Sequence, residues 1–280
     1  MATARIEFFS KALMRVVNIN VIIPVDKVTL DGNMDIKKEY KTLYLLHGVF
    51  GGQSDWLNET NIKRLSEKRQ LVVVMPAGEN KFYVDNEKSG DMFSQFIGEE
   101  LVKIMRSMFP LSKKREDTFI TGLSMGGYGA LINGLKYSNT FGYIGCISPA
   151  LVIDQAVNSR DSEDIPLIGR KSYFESVFGD LTKLYGSDKD YRGLIKSLKA
   201  RKEKIPKLYM ACGTEDFLIE EVRKYQAFLG KENIDITYVE SPGEHDWLFW
   251  NEHINKILEW LPLEKESSYI SSGDVSKNNK

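Results

Sequence analysis

The 280-residue sequence predicts an α/β fold in which helices cover both faces of a mostly parallel central sheet. Two observations carry that expectation. Short apolar runs alternate with stretches of helical periodicity, and each run is apolar at successive positions, as a strand buried on both faces requires. Glycine-rich loops follow several of the runs, where such sheets hold their ligands.

The elements follow in chain order. Arg5 to Ser10 reads as a short strand, and Met14 to Val25 as a partly alternating one marked at its end by Pro24. Asp31-Gly32-Asn33 reads as a turn. Leu43 to Leu46 is a buried strand running into His47-Gly48-Val49-Phe50-Gly51-Gly52, and Leu71 to Met75 is a second, stopped by Pro76. Between Asp91 and Phe109, residues Phe93, Phe96, Ile97, Leu101, Ile104, Met105 and Met108 have helical spacing. Thr118 to Thr121 is a strand and Met125 to Tyr137 the helix after it. Tyr143 to Ile147, Lys207 to Ala211 and Ile234 to Val239 are further strands, with helices near Leu218 to Leu229 and Leu248 to Trp260. Pro149 to Pro206 breaks the rhythm and reads as a cap-like insertion (150–205) in a single domain of residues 1–263, anchored by Tyr173-Phe174 and Val177-Phe178. Residues 264–280, rich in Ser, Lys and Asn, read as a disordered tail.

Composition narrows the function. Hydrophobic residues make up 42% and charged residues 28%, enough for a sizeable core under an ordinary surface. A net charge of -1 gives no reason to expect nucleic acid or an acidic membrane as partner, and it leaves self-association into a homo-oligomer open. Cys146 and Cys212 lie in apolar strands and read as buried free thiols, and no Cys/His spacing suits zinc. Met1 to Ser10 lacks the apolar core of a signal peptide and no run has the length of a membrane span, so the expected compartment is the cytoplasm.

The chemistry is signalled at Gly122-Leu123-Ser124-Met125-Gly126, the one Gly-x-Ser-x-Gly in the chain. It joins a strand directly to a helix, a turn that pushes the serine oxygen above the sheet at the positive end of the helix dipole. Ser124 is the expected nucleophile. Of the three histidines, His245 lies on the loop after the last strand, where a base for Ser124 is needed. His47 comes too early and reads as a buried residue shaping its loop, and His253 reads as a surface residue of the last helix. The acid should sit at a strand end between serine and histidine. Asp216 is the first candidate and Glu215 cannot be separated from it by spacing. Backbone donors for an oxyanion are expected from Met125 and from the loop after His47, with Val49 preferred over Phe50.

These motifs resemble the esterase D family of α/β-hydrolases. The likeness rests on Leu45-Leu46-His47-Gly48, on Gly122 through Leu131, on Gly213-Thr214-Glu215-Asp216 and on Gly243-Glu244-His245-Asp246-Trp247. It runs from about Arg15 to Leu261 and is nearest to tributyrin-type esterases of Gram-positive bacteria. The resemblance implies an α/β-hydrolase fold and a triad of Ser124, Asp216 and His245. It also implies oxyanion donors at Val49 and Met125, and turnover of a small-molecule ester without metal or organic cofactor. Tyr128 stands where an S-formylglutathione hydrolase would carry histidine, which disfavours a thioesterase. The reading is a serine carboxylesterase for short acyl esters. A thioesterase or a deacetylase of acetylated sugars is the alternative, and an inactive binding fold the rival from another class. Phe50, Tyr173, Phe174, Phe178 and Trp247 are the candidates for substrate contact.

Overall fold

A computed structural model describes residues 1–29 and 32–264. Asp31 of the expected turn, and the expected tail beyond Glu264, lie outside the described residues. The strands are β1 (Ala2–Ser10), β2 (Arg15–Ile23), β3 (Lys41–Leu46), β4 (Leu71–Pro76), β5 (Thr118–Leu123), β6 (Tyr143–Ile147), β7 (Lys207–Gly213) and β8 (Ile236–Ser241). They form one eight-stranded sheet in the order β1-β2-β4-β3-β5-β6-β7-β8. From β4 to β8 all pairings are parallel, while β2 runs antiparallel to both β1 and β4.

Period two decides which core each strand residue enters. In β4, Leu71, Val73 and Met75 face one core while Val72 and Val74 face the other, and Leu43/Leu45 against Tyr44/Leu46 divide β3 in the same way. All nine are at most 1% exposed, which is why these strands read as unbroken apolar runs. Two short helices, α1 (Asp55–Glu59) and α2 (Ile62–Arg69), contribute Trp56 and Ile62 to the first core. The second core takes in a helix that opens at Phe93–Gln95, widens into a π-turn at Phe96–Glu100 and finishes as α3 (Leu101–Met108). In the π-turn Gly98 lies against Tyr137, where a Cβ would come within 2.0 Å of the ring. Helix α4 (Met125–Lys136) follows β5 and is buried from Met125 to Leu135, as a helix wedged against a sheet must be.

Residues 149–206 leave β6 and return at β7, carrying α5 (Ile153–Val157), α6 (Lys171–Phe178) and α7 (Tyr191–Ala200). Polar ties hold this segment to the core. Tyr128 donates its hydroxyl to the Lys189 carbonyl at 2.5 Å. Lys136 bridges Asp188 at 2.6 Å and Asp85 at 3.0 Å; within the segment itself, Arg192 grips Asp154 through two hydrogen bonds and joins α7 to α5. The last two helices are α8 (Ile219–Lys231), in the second core, and α9 (Trp247–Trp260), in the first.

Candidate active site

Ser124 stands between β5 and α4 with φ +53° and ψ -119°, a conformation that costs an L-residue on the order of 1–3 kcal/mol. The surroundings impose it. The Ser124 N–H donates to the Ile147 carbonyl and its own carbonyl accepts from Ala150, both at 2.9 Å. The flanking glycines are required by contact: a Cβ on Gly122 would lie 2.3 Å from the Gly126 carbonyl oxygen, and one on Gly126 would lie 2.4 Å from that of Leu46.

The Ser124 hydroxyl lies 3.0 Å from His245 Nε2. On the other side of the ring, Nδ1 lies 2.8 Å from Asp216 Oδ2. Asp216 is 2% exposed, and its second oxygen accepts the Leu218 N–H at 2.9 Å. Burial alone would raise the pKa of this carboxyl, but hydrogen bonds from His245, the Leu218 N–H and Ser148 outweigh it and hold the pKa below the usual carboxylate range. Ser148, buried at the end of β6, was not legible as a site residue; a serine before Pro149 reads as a simple strand end.

Glu215 and Asp216, inseparable by spacing, have different places. Glu215 accepts the Gly243 N–H at 2.6 Å and so tethers the loop that carries His245. The same two loops touch where a Cβ on Gly213 would fall 2.1 Å from the Gly243 carbonyl oxygen. Asp246 is engaged as the N-cap of α9, accepting the Phe249 N–H at 3.0 Å.

His47 is buried and held neutral. Its Nδ1 donates to the Gly48 carbonyl at 2.7 Å and its Nε2 accepts the Gly78 N–H at 2.8 Å. Burial pushes its pKa down, with the bond to the Gly48 carbonyl acting against that. Because the 48–49 peptide is trans, pinning its carbonyl turns the Val49 N–H to the opposite side. Among the described residues, neither the Val49 nor the Met125 N–H donates to a protein acceptor. The Phe50 N–H, the second choice from sequence, is taken by Asn80 Oδ1 at 2.8 Å, which removes it as an oxyanion donor.

Ser124 and His245 open into a cavity of about 660 Å³. Val49, Phe50 and Trp247 line it from the core, and Ile165, Ile168 and Phe174 from the 149–206 segment. Two of the residues expected at the substrate are not on its wall. Tyr173 turns away to donate its hydroxyl to the Asn80 carbonyl, and Phe178 lies behind Phe174 in a cluster with Phe82 and Tyr128. Sequence reading missed Asp55 and Gln155, which add polar groups to the lining.

His253 corrects another expectation: it is fully buried, not on the helix surface. It lies three and four residues from Trp250 and Ile257, on the apolar face of α9, a spacing that could have placed it. Its ring stacks on Phe249 at 4.0 Å, and Nε2 meets Ser241 Oγ at 3.1 Å. Burial lowers its pKa from 6.5 to about 4, with Lys256 adding to the shift and Glu252 opposing it. The unfolded chain therefore binds a proton that the folded one refuses. Stability should be complete above pH 6.5 and decline as pH falls toward 4, by up to about 3 kcal/mol from this group. His253→Gln should flatten the fall of Tm over that window; an unchanged slope would exclude His253 as the cause. Cys146 and Cys212 are both buried free thiols, and burial, aided by the Asp216 charge, pushes Cys212 up to about 12.

The Esterase family model matches residues 10–261. The chain belongs to the Esterase family. This esterase is 46% identical over 263 residues to an acetyl esterase of Caldicellulosiruptor saccharolyticus, covering 93% of this chain and 98% of that one. It superposes on a fluorophosphonate-binding serine hydrolase of Staphylococcus aureus with a TM-score of 0.81, at 28% identity over 93% of this chain and 98% of that one. An S-formylglutathione hydrolase of Staphylococcus aureus matches with a TM-score of 0.78, again at 28% identity, covering 93% and 99%. The esterase is thus a serine hydrolase of carboxylic esters with the α/β-hydrolase fold. Among the described residues no helix is long and apolar enough to cross a membrane.

Proposed function

We propose that this esterase hydrolyses short-chain acyl esters through an acyl-serine intermediate on Ser124. The observation that carries the reading is the hydrogen-bonded line Asp216–His245–Ser124 opening into the cavity. Ser124 Oγ attacks the ester carbonyl while its proton passes to His245 Nε2. The negative charge that builds on the carbonyl oxygen is met by the free N–H groups of Val49 and Met125. Asp216 stabilises the imidazolium. His245 then returns the proton to the departing alcohol, and water repeats the sequence on the acyl-enzyme to release the acid.

The short-chain preference rests on the cavity and on kinship. Ile165, Ile168 and Phe174 close the wall opposite the core. Each methylene accommodated gains about 0.8 kcal/mol, and an acyl chain that outgrows the wall meets overpacking of about 1–3 kcal/mol. The acetyl esterase relative supports the same preference, and within the family we place the chain nearest the tributyrin-type, esterase D-like branch. kcat/KM measured from acetyl to dodecanoyl esters should peak between acetyl and butyryl and drop sharply by octanoyl. A flat or rising profile refutes the short-chain reading, and a higher kcat/KM on thioesters than on esters refutes the carboxylesterase one.

A further inference from the structure

Phe50 and Phe217 both line the catalytic cavity, yet they are 74% and 77% exposed. A ring that is wall and surface at once stands at the cavity mouth. Leu167, 67% exposed, lies in sequence between two wall residues, Pro166 and Ile168. These are three of the five most exposed large apolar side chains among the described residues. Scattered singly they would need no explanation, but gathered at one opening they mark a binding edge.

Both rings are held in place. Phe217 lies in the turn closed by Asp216, whose Oδ1 accepts the Leu218 N–H at 2.9 Å and whose carbonyl accepts that of Ile219 at 3.1 Å. The residue that orients His245 therefore also sets Phe217, and the Phe217 ring lies against the His245 ring with centroids 4.7 Å apart. Phe50 has φ +65°, a left-handed conformation that is costly for a bulky L-residue, and its N–H is pinned by Asn80 Oδ1 at 2.8 Å. So exposed a ring recovers little of that cost through burial in the fold.

The chemistry decides which part of an ester meets these rings. In the tetrahedral intermediate the carbonyl oxygen points to the Val49 and Met125 N–H groups, and the leaving oxygen must reach His245 Nε2 to take its proton. The alcohol group therefore extends past His245, and it must depart toward solvent, where Phe217 covers the imidazole. The acyl group takes the remaining direction, toward Ile165, Ile168 and Phe174.

We propose that Phe217 and Phe50 form an alcohol-side subsite that selects esters of apolar, above all aromatic, alcohols. The subsite rests on the acyl-serine reading above. One end of the substrate is then limited by the closed wall, and the other is chosen by apolar contact at the open mouth.

Ethyl, butyl and 2-phenylethyl acetate test this, because they share the acyl group and differ little in leaving-group acidity. With each ester in true solution, kcat/KM should rise along the series, with 2-phenylethyl acetate about 10-fold or more above ethyl acetate. Phe217→Ala should bring that ratio to within about 3-fold of unity, and Phe50→Ala should lower it by a smaller amount. Phe217→Leu should keep the preference for butyl over ethyl and lose most of the aromatic gain. The change should appear in KM, because the contact is the same in the bound ester and the transition state. Met14→Ala removes a side chain 72% exposed between β1 and β2, and should leave the ratio as in the native enzyme. Fluorophosphonate labelling and Tm report whether each variant keeps its fold and triad. A flat native series overturns the subsite while brisk ethyl acetate hydrolysis leaves the acyl-serine reading standing; loss of all ester hydrolysis in the native enzyme overturns both. A ratio that survives Phe217→Ala, a preference for 2-hydroxyethyl acetate over butyl acetate, or a preference that appears only when the ester forms droplets also overturns the subsite.

Discussion

Replacing Ser124 by alanine should lower ester hydrolysis by about 10³-fold or more and abolish covalent labelling by a fluorophosphonate. The size follows from the way the site is assembled. The hydroxyl is the single reacting atom that Ser124 contributes, and its one side-chain partner is His245 at 3.0 Å. Without it His245 has no proton to accept and no acyl-enzyme forms. The fold should survive, because the strained backbone is held by main-chain bonds to Ile147 and Ala150 that alanine retains. Near-native Tm with lost labelling would isolate the chemistry. Label attached to another residue, with Ser124→Ala fully active, would remove Ser124 from the mechanism.

Ser124 and Asp216 were legible because each follows a buried strand, and buried parallel strands write themselves as apolar runs; His245 follows the mostly half-buried β8 and was singled out by its place after the last strand. Leu43 to Leu46, Leu71 to Met75 and Tyr143 to Ile147 all correspond to observed strands. What was obscure depended on contacts distant in sequence. The separation of Asp216 from Glu215 needed the Gly213–Gly243 approach, which aims one carboxylate at the imidazole and the other at a backbone N–H. Tyr173 and Phe178 looked equivalent to Phe174 as apolar residues of one segment, yet helical geometry sends the three in different directions: to Asn80, to Phe82 and to the cavity. Helices α1 and α2 carry few apolar residues and left no clear period, and Trp56 is the one fully buried side chain of α1. His253 was misread because Glu252 and Asn255 close by in sequence are polar, while its neighbours on the helix face are Phe249, Trp250 and Ile257.

Asp216→Asn should cost about 10⁴-fold in kcat, while Glu215→Gln should change it only a few-fold, although the two residues are adjacent. Asp216 is buried against His245, and its carboxylate both accepts the Nδ1 proton and offsets the positive charge the ring gains when Ser124 is deprotonated. An asparagine there is neutral, and it can turn its NH₂ toward Nδ1 and impose the tautomer that presents N–H, in place of a lone pair, to Ser124. Because the Asp216 pKa is depressed, its carboxylate persists as the solution is acidified, and the acid-side loss of rate should not come from its protonation. The same depression gives a second readout. A lowered carboxylate pKa contributes stability above the ordinary carboxylate range, and that stability is lost as pH falls through the lowered value, so Asp216→Asn should flatten this part of the acid-unfolding curve. Glu215 is exposed, and burial has little hold on it; the Gly243 N–H, then the Thr214 hydroxyl, lower its pKa. A glutamine oxygen can still accept the Gly243 N–H, so the His245 loop should keep its position. If Glu215→Gln proves the more damaging substitution in kcat, the acid belongs at 215 and the geometry at 216 serves only to cap the turn before Leu218.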